Sequence, residues 1–267
     1  FHSLCVRILR QHAGLIGLDP GFTIYDSDDQ RRCLRAAIQQ ADLSAESFTP
    51  AVAQAAISRA KNKLQDAQAF AAAETGFRGR QLARIFRAYQ RTLAENHALD
   101  FDDLLLRTAC LMRDRPDVRN ALGQKYLYVL IDEYQDTNHA QYVLAHGIAL
   151  DHENICATGD PDQSIYAWRG ANIRNILEFE QDYPNARVVR LEENYRSRRP
   201  ILTAASALIA RNRERKSKDL IATRGEGPPL EVVRLEDEHA EAAEAAAIVQ
   251  RLTAEGEIRH ADIAVFY

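Results

Sequence analysis

Asp132 and Glu133 close an apolar, β-prone run within "YLYVLIDEYQDTN", and Asp160, Asp162 and Gln163 close a second one within "ICATGDPDQSIYAWRGA". An apolar run that stops at acidic and amide side chains reads as a buried parallel strand presenting ligands beyond its carboxyl end. Adjacent carboxylates at such a point can divide the work of nucleotide hydrolysis, Asp132 facing a magnesium ion and Glu133 the attacking water. Alone, the dipeptide would more often be a polar loop start; the strand before it and "YQDTN" after it reverse that balance. Gln163 offers a neutral amide able to sense a γ-phosphate oxygen or the lytic water, although "GDPDQS" is also good turn sequence. Tyr166, Trp168 (the chain's single tryptophan) and Arg169 suit stacking on bases, worth roughly 1–3 kcal/mol per base without reading sequence. Core packing is the ordinary reading of an aromatic, but the flanking Arg169 and Gly170 argue for an exposed, tightly turned surface. Gln163 and Trp168 lie no more than about 17 Å apart along the chain, so one rigid segment can join phosphate sensing to base stacking. Tyr195 and Arg196, in "LEENYRSRRP", stand at another strand end. They could stack on a purine and stabilise charge on a transferring phosphate, or be an interdomain hinge with ordinary surface arginines. No G-x-x-x-x-G-K-[ST] phosphate loop occurs.

The elements that must position these residues alternate. Strands are expected over Tyr126–Ile131, Asn154–Thr158 and Arg187–Leu191, with helices over Asn138–Leu150 and Asn172–Asp182, a pattern that implies a doubly wound parallel sheet of the α/β class. An opening helix carries Leu4, Ile8 and Leu9. From about Asp28 to Asn96 the chain reads as helical with no convincing strand, Asp26 and Ser27 offering N-caps, so an all-helical block interrupts the α/β core. A helix over Ile201–Arg211, a Gly/Pro break, a strand over Leu230–Leu235, a long Ala/Glu helix and a strand over Ile263–Tyr267 read as the start of a second α/β domain.

With 267 residues, 46% of them hydrophobic, two cores can be built, and a formal net charge of −4 excludes a generally basic nucleic-acid binder. Contact with DNA or RNA must come from local patches. Arg78, Arg80, Arg84, Arg87 and Arg91 form one. Arg196, Arg198, Arg199, Arg211, Arg213, Arg215, Lys216 and Lys218 form another, interrupted by Glu214. The scattered Cys5, Cys33, Cys110 and Cys156 read as reduced, mostly buried thiols of a cytoplasmic protein, not as disulfides or a zinc site. The chain opens directly into a helix at Phe1 and ends inside an apolar run, which reads as an excerpt of a larger protein.

"IDEYQDTN", "GDPDQSIYAWRGA" and "LEENYRS" resemble, nearly letter for letter, three helicase motifs of the UvrD/PcrA/Rep group of superfamily 1 DNA helicases. "FHSLCVRILR" is similar to the upstream DNA-contacting motif of that group, and "LDFDDLL" to the segment returning from its inserted helical subdomain. The resemblance spans essentially the whole chain. It implies a RecA-like motor domain in residues 1–27 and 98–197, an inserted helical subdomain in 28–97, and the start of a second RecA-like domain in 198–267. It also implies ATP and Mg2+ as cofactors, with Asp132 on the metal and Glu133 as catalytic base. Gln163 would contact the γ-phosphate, Tyr195 would stack on adenine and Arg196 would act as an arginine finger. Phe1, His2, Tyr166, Trp168 and Arg169 would line a single-stranded DNA path. The implied activity is 3′-to-5′ translocation and duplex unwinding, with single-stranded DNA and single/double-strand junctions as partners alongside repair or replication proteins. "WRGA" is closer to this group than to the RecB/AddA helicase-nucleases, whose equivalent would read more like "F-R-x-A". A helicase-nuclease subunit and a non-hydrolysing single-stranded DNA-binding paralogue are the alternatives. The latter would require Glu133, Gln163 or Arg196 to be altered, and all three are intact. Without the phosphate loop and later motifs, this stretch alone is expected neither to hydrolyse ATP efficiently nor to unwind DNA.

Overall fold

Short polar caps and apolar stripes build a helix-rich α/β architecture, seen here in a computed structural model that describes every residue except Ala45, Glu214, Ser217, Glu255, Glu257 and Tyr267. The chain divides into two units, Phe1–Val189 with Arg213–Ser217, and Arg190–Asn212 with Lys218–Tyr267.

In the first unit, α1 (His2–Gln11) buries Cys5, Ile8 and Leu9, a stripe at helical spacing. Strand β1 (Thr23–Ile24) then leads into α2 (Ser27–Gln40), α3 (Pro50–Asn62), α4 (Ala67–Ala73) and α5 (Phe77–Glu95). Asp26 caps α2 in a reciprocal box with Asp29, while Thr49 and Asp66 cap α3 and α4. These helices close around Leu34, Ile38, Ile57, Ile85, Phe86, Tyr89 and Leu93. The chain returns as β2 (Ala98–Leu99), which pairs parallel with β1 in the register Thr23↔Ala98 and Ile24↔Leu99. The helical block thus leaves and re-enters through one two-residue stem.

Beyond the stem come α6 (Phe101–Asp114) and α7 (Pro116–Lys125), then β3 (Val129–Ile131), α8 (His139–Ala149) and β4 (Ile155–Ala157). A second core unites α1, α6, α7 and α8 through Leu9, Leu105, Leu111, Leu122, Leu144 and Ile148. Strands β3 and β4 pair parallel, Leu130 opposite Cys156. The strand expected over Tyr126–Ile131 is shorter than predicted and is not buried on both faces. Ile131 points into the core while Leu130, at 77% exposure, points away, as the two-residue period of a strand covered on one side requires.

The expected helix over Asn172–Asp182 is broken into two short helices, α9 (Arg174–Leu177) and α10 (Phe179–Asp182), with Glu178 between them. The run Arg187–Leu191 is not a strand, and Val188, Val189 and Leu191 are exposed. In the second unit, β5 (Glu193–Asn194) pairs parallel with β6 (Ile221–Ala222), separated by α11 (Arg199–Ile209) and followed by α12 (Glu238–Ala254). The strand expected at Leu230–Leu235 does not form either, with Val232 at 95% exposure. Residues 263–266 are likewise not a strand; Tyr267, like Glu214, lies outside the described residues. β-branched sequence reports fit to a half-buried pleated surface; without a neighbouring ladder it has nothing to fit. Among the described residues the strands therefore form three separate parallel pairs.

All four cysteines are free: Cys5 and Cys33 are buried and Cys110 half-buried, but Cys156 is exposed, against the expectation for this thiol. Among the described residues no helix is long and apolar enough to cross a membrane.

Candidate functional site

Asp132 and Glu133 are extruded from the sheet by the ladder itself. Thr158 N–H donates to the Ile131 carbonyl at 2.8 Å, and Tyr134 N–H donates back to the Thr158 carbonyl at 3.0 Å. One residue of β4's extension is thus bracketed by two positions of β3's, and the intervening dipeptide bulges out with both side chains exposed. The bend places Glu133 in the left-handed region, φ 52° and ψ 44°, a conformation costing a non-glycine residue about 1–3 kcal/mol. It is held by the turn Tyr134–Asp136, whose Asp136 N–H donates to the Glu133 carbonyl at 2.9 Å. Tyr134 is fully buried; its hydroxyl and the His146 Nε2 are 3.1 Å apart. Burial pushes the His146 imidazole below its usual pKa, with Asp182 acting in the opposite direction. Burial and, next, the charge of Glu133 raise the Asp136 carboxyl above the ordinary range.

The second predicted set lies beside the first. Asp160 caps the turn Pro161–Gln163 by accepting from Asp162 N–H at 3.0 Å, and its other oxygen accepts from Gln163 Nε2 at 2.7 Å. Gln163 is exposed, its amide engaged by Asp160. Asp162 is paired with Arg215 at 2.9 Å, and Glu180 with Lys216 at 2.5 Å, so the second basic stretch of the sequence is in part neutralised.

The link between the sets is a residue that sequence reasoning missed. Gln135, only 1% exposed, donates from Nε2 to a Glu133 carboxylate oxygen at 2.7 Å and accepts at Oε1 from Asp160 N–H at 2.9 Å. Its amide fits against Gly159, where a Cβ would stand 2.5 Å from Oε1 and 3.1 Å from the Tyr134 nitrogen. The only sequence signal was an amide between two acids in "DEYQD".

The stacking candidates form a platform. Tyr166 precedes the turn Ala167–Arg169, and Gly170 ends it at φ 90°, which a side chain would strain. Trp168 is 72% exposed. The Tyr166 and Trp168 ring centroids are 6.3 Å apart, and the Arg169 guanidinium lies over both rings, 5.4 Å from Tyr166 and 4.7 Å from Trp168. The segment is anchored behind by Asn172 N–H and Asn175 Nδ2, donating to the Thr137 carbonyl at 3.0 and 3.1 Å. Asn138 Nδ2 in turn donates to Asn62 Oδ1 at the end of α3, 2.5 Å away.

Phe1 and His2 are brought to a different place. Phe1 shares with Asp132 a cleft of about 330 Å³ lined also by Cys5, Ile8, Leu130 and Leu144. The His2 ring sits edge-on to Phe101 at 5.7 Å; among the described residues it makes no ring contact with Tyr166 or Trp168. Tyr195 and Arg196 are exposed in the second unit. There Asn194 Oδ1 accepts from Arg196 and Ser197 N–H at 3.0 and 2.8 Å, and the Tyr195 hydroxyl donates to Glu193.

Asp132 is exposed, and its Oδ1 accepts from Glu133 N–H at 3.0 Å. Among the described residues no group of three or more His, Cys, Asp or Glu could cage a metal. That donor set does not suit zinc or calcium. It does fit magnesium, which keeps several waters and takes one or two protein carboxylates alongside phosphate oxygens.

Two family models divide the chain: the UvrD/REP helicase N-terminal domain matches residues 1–184, and the UvrD-like helicase C-terminal domain matches residues 189–267. Over its whole length the chain is 40% identical to ATP-dependent DNA helicase PcrA of Bacillus subtilis (strain 168). It is 43% identical to ATP-dependent DNA helicase UvrD1 of Mycobacterium tuberculosis (strain ATCC 25618 / H37Rv). Identity to ATP-dependent DNA helicase PcrA of Staphylococcus aureus (strain NCTC 8325 / PS 47) is 41%. The chain spans 36% of the length of each of these relatives. With the first model covering well over half of its residues and the second nearly all the remainder, the chain belongs to the UvrD/REP helicase family.

Proposed function

We propose that the full-length protein is an ATP-dependent DNA helicase that moves 3′ to 5′ along single-stranded DNA and separates duplex strands. Its substrates on this reading are single-stranded DNA and single/double-strand junctions, and its partners are repair or replication proteins. Residues 1–27 and 98–197 are taken as one RecA-like motor domain, 28–97 as its helical insertion, and 198–267 as the start of a second. The observation that carries the reading is the continuity of one short segment. It begins at Asp160, bonded to the buried Gln135 behind Glu133, passes through Gln163, and ends in the exposed Trp168 platform. The names of the relatives, all ATP-dependent DNA helicases, support the choice of nucleotide and nucleic acid.

Asp132 is the residue that would hold magnesium, which when bound neutralises phosphate charge. Glu133, exposed at the bulge, takes the proton of the attacking water. Gln163 gives one amide N–H to Asp160, and the second N–H of the same amide can meet a γ-phosphate, a local change that the turn can hand to Tyr166, Trp168 and Arg169. Phe1 and His2 are assigned to the same DNA path. From the second unit, Tyr195 is assigned to the adenine and Arg196 to the transferring phosphate.

In the full-length protein Glu133→Gln should leave ATP binding intact and lower DNA-stimulated turnover by about 10²–10⁴-fold. Unchanged turnover would refute the base assignment. Partial duplexes with a 3′ single-stranded tail should be unwound in preference to those with a 5′ tail, and the opposite preference would overturn the polarity.

A further inference from the structure

Gln135 is the one buried side chain described here that bonds to both halves of the site, and its amide can sit only one way round. The Glu133 carboxylate can only accept and the Asp160 N–H can only donate, so Nε2 must face the first and Oε1 the second. At 1% exposure no water replaces either bond if the amide turns or withdraws. Beside Oε1, Gly159 leaves no room for even a methyl group, since a Cβ there would stand 2.5 Å away.

We propose that Gln135 is a positioning residue for hydrolysis: it fixes the Glu133 carboxylate and couples it to the Asp160–Gln163 turn. The proposal rests on the reading of Glu133 as the base. A buried donor at 2.7 Å holds one oxygen of that carboxylate in place. The same amide, tied to Asp160 N–H, moves Glu133 whenever the phosphate-sensing turn moves. Gln163 then has two outputs, the platform ahead of it and the base behind it. The fuel site and the strand-gripping site answer to one displacement instead of two.

The test uses full-length protein at saturating single-stranded DNA, following the single-turnover rate of ATP hydrolysis together with the steady-state KM for ATP. Gln135→Met keeps the bulk and removes the amide's bonds to Glu133, Asp136 and Asp160; Gln135→Glu places a further carboxylate against Glu133. Both should lower the rate about 10-fold or more with KM for ATP nearly unchanged. A rate lowered only together with a raised KM for ATP would mean that Gln135 serves only packing, and a wild-type rate would deny it any role; either overturns the proposal. If these variants fail to fold, Gly159→Ala, which displaces the amide while keeping it, decides the matter: a wild-type hydrolysis rate overturns the proposal. Glu133→Gln run in parallel separates the two levels. Full turnover in that variant sinks the base assignment itself, whereas an inactive Glu133→Gln beside unaffected Gln135 variants sinks only the coupling.

Discussion

Trp168 remains 72% exposed even with the Arg169 guanidinium 4.7 Å from its ring centroid, which leaves ring surface for a base to stack on. Losing one stacking contact is worth about 1–3 kcal/mol, so Trp168→Ala should weaken binding of a labelled single strand by about 5- to 150-fold. Trp168→Phe should recover most of it, and DNA stimulation of the ATPase should fall with the affinity. Unchanged anisotropy titrations would remove Trp168 from the DNA path. Behind the acidic pair, His146 is depressed below its ordinary pKa by burial. The unfolded chain therefore binds that proton more readily than the folded one. The His146 contribution is complete above about pH 6.5 and is lost as pH falls through the lower folded value. Thermal melts should show His146→Gln losing less stability than the wild type between pH 7 and 5; parallel curves would contradict this. The exposed positions of Asp132, Glu133, Gln163 and Trp168 were legible because each follows an apolar run that stops at polar residues. Gln135 was not, since its importance lies in two bonds, one to a residue 25 positions away.

At the level of elements, the stem of the helical block is fastened by a buried lysine. Lys61 has no exposure and lies 2.7 Å from Asp100 and 2.9 Å from Asp103, while Tyr89 donates to Asp100 at 2.9 Å. Burial alone would depress the ammonium, but the two carboxylates outweigh it and its pKa is raised. Burial, then the neighbouring Asp100, pushes the Asp103 carboxyl up to about 6. Lys61→Met should destabilise the first unit by about 3–5 kcal/mol by leaving those acids uncompensated. Adding Asp100→Asn and Asp103→Asn should return part of that, as denaturant melts would show. That residues 28–96 are helical was readable from the cap at Asp26 and the lack of any strand pattern. The stem was not, because two-residue strands are too short to show a period, and nothing in "SRAKNKL" distinguishes Lys61 from the exposed Lys63. The converse failures at Arg187–Leu191 and Leu230–Leu235 share one cause: strand propensity without a partner edge.

For the molecule as a whole, alternation of strand and helix correctly announced parallel pairing, and the helical interruption was visible as a change in composition. The extent of sheet was not, since pairing depends on neighbours distant in sequence. A net charge of −4 also concealed how charge is disposed: exposed Arg84, Arg87 and Arg91 line a shallow basic hollow on the helical block, while Arg215 and Lys216 are spent on internal acids. The parallel register of the stem has a topological corollary. Because Ile24 and Ala98 belong to adjacent pairs of one ladder, residues 25–97 form a cassette whose two ends lie side by side, and since the pair is parallel its replacement must be a crossover of about a dozen residues or more. What would resist excision is the socket left behind, two acids shaped around a vanished cation. Any transplant of this cassette between relatives must therefore carry a lysine in the same place or neutralise the acids that receive it.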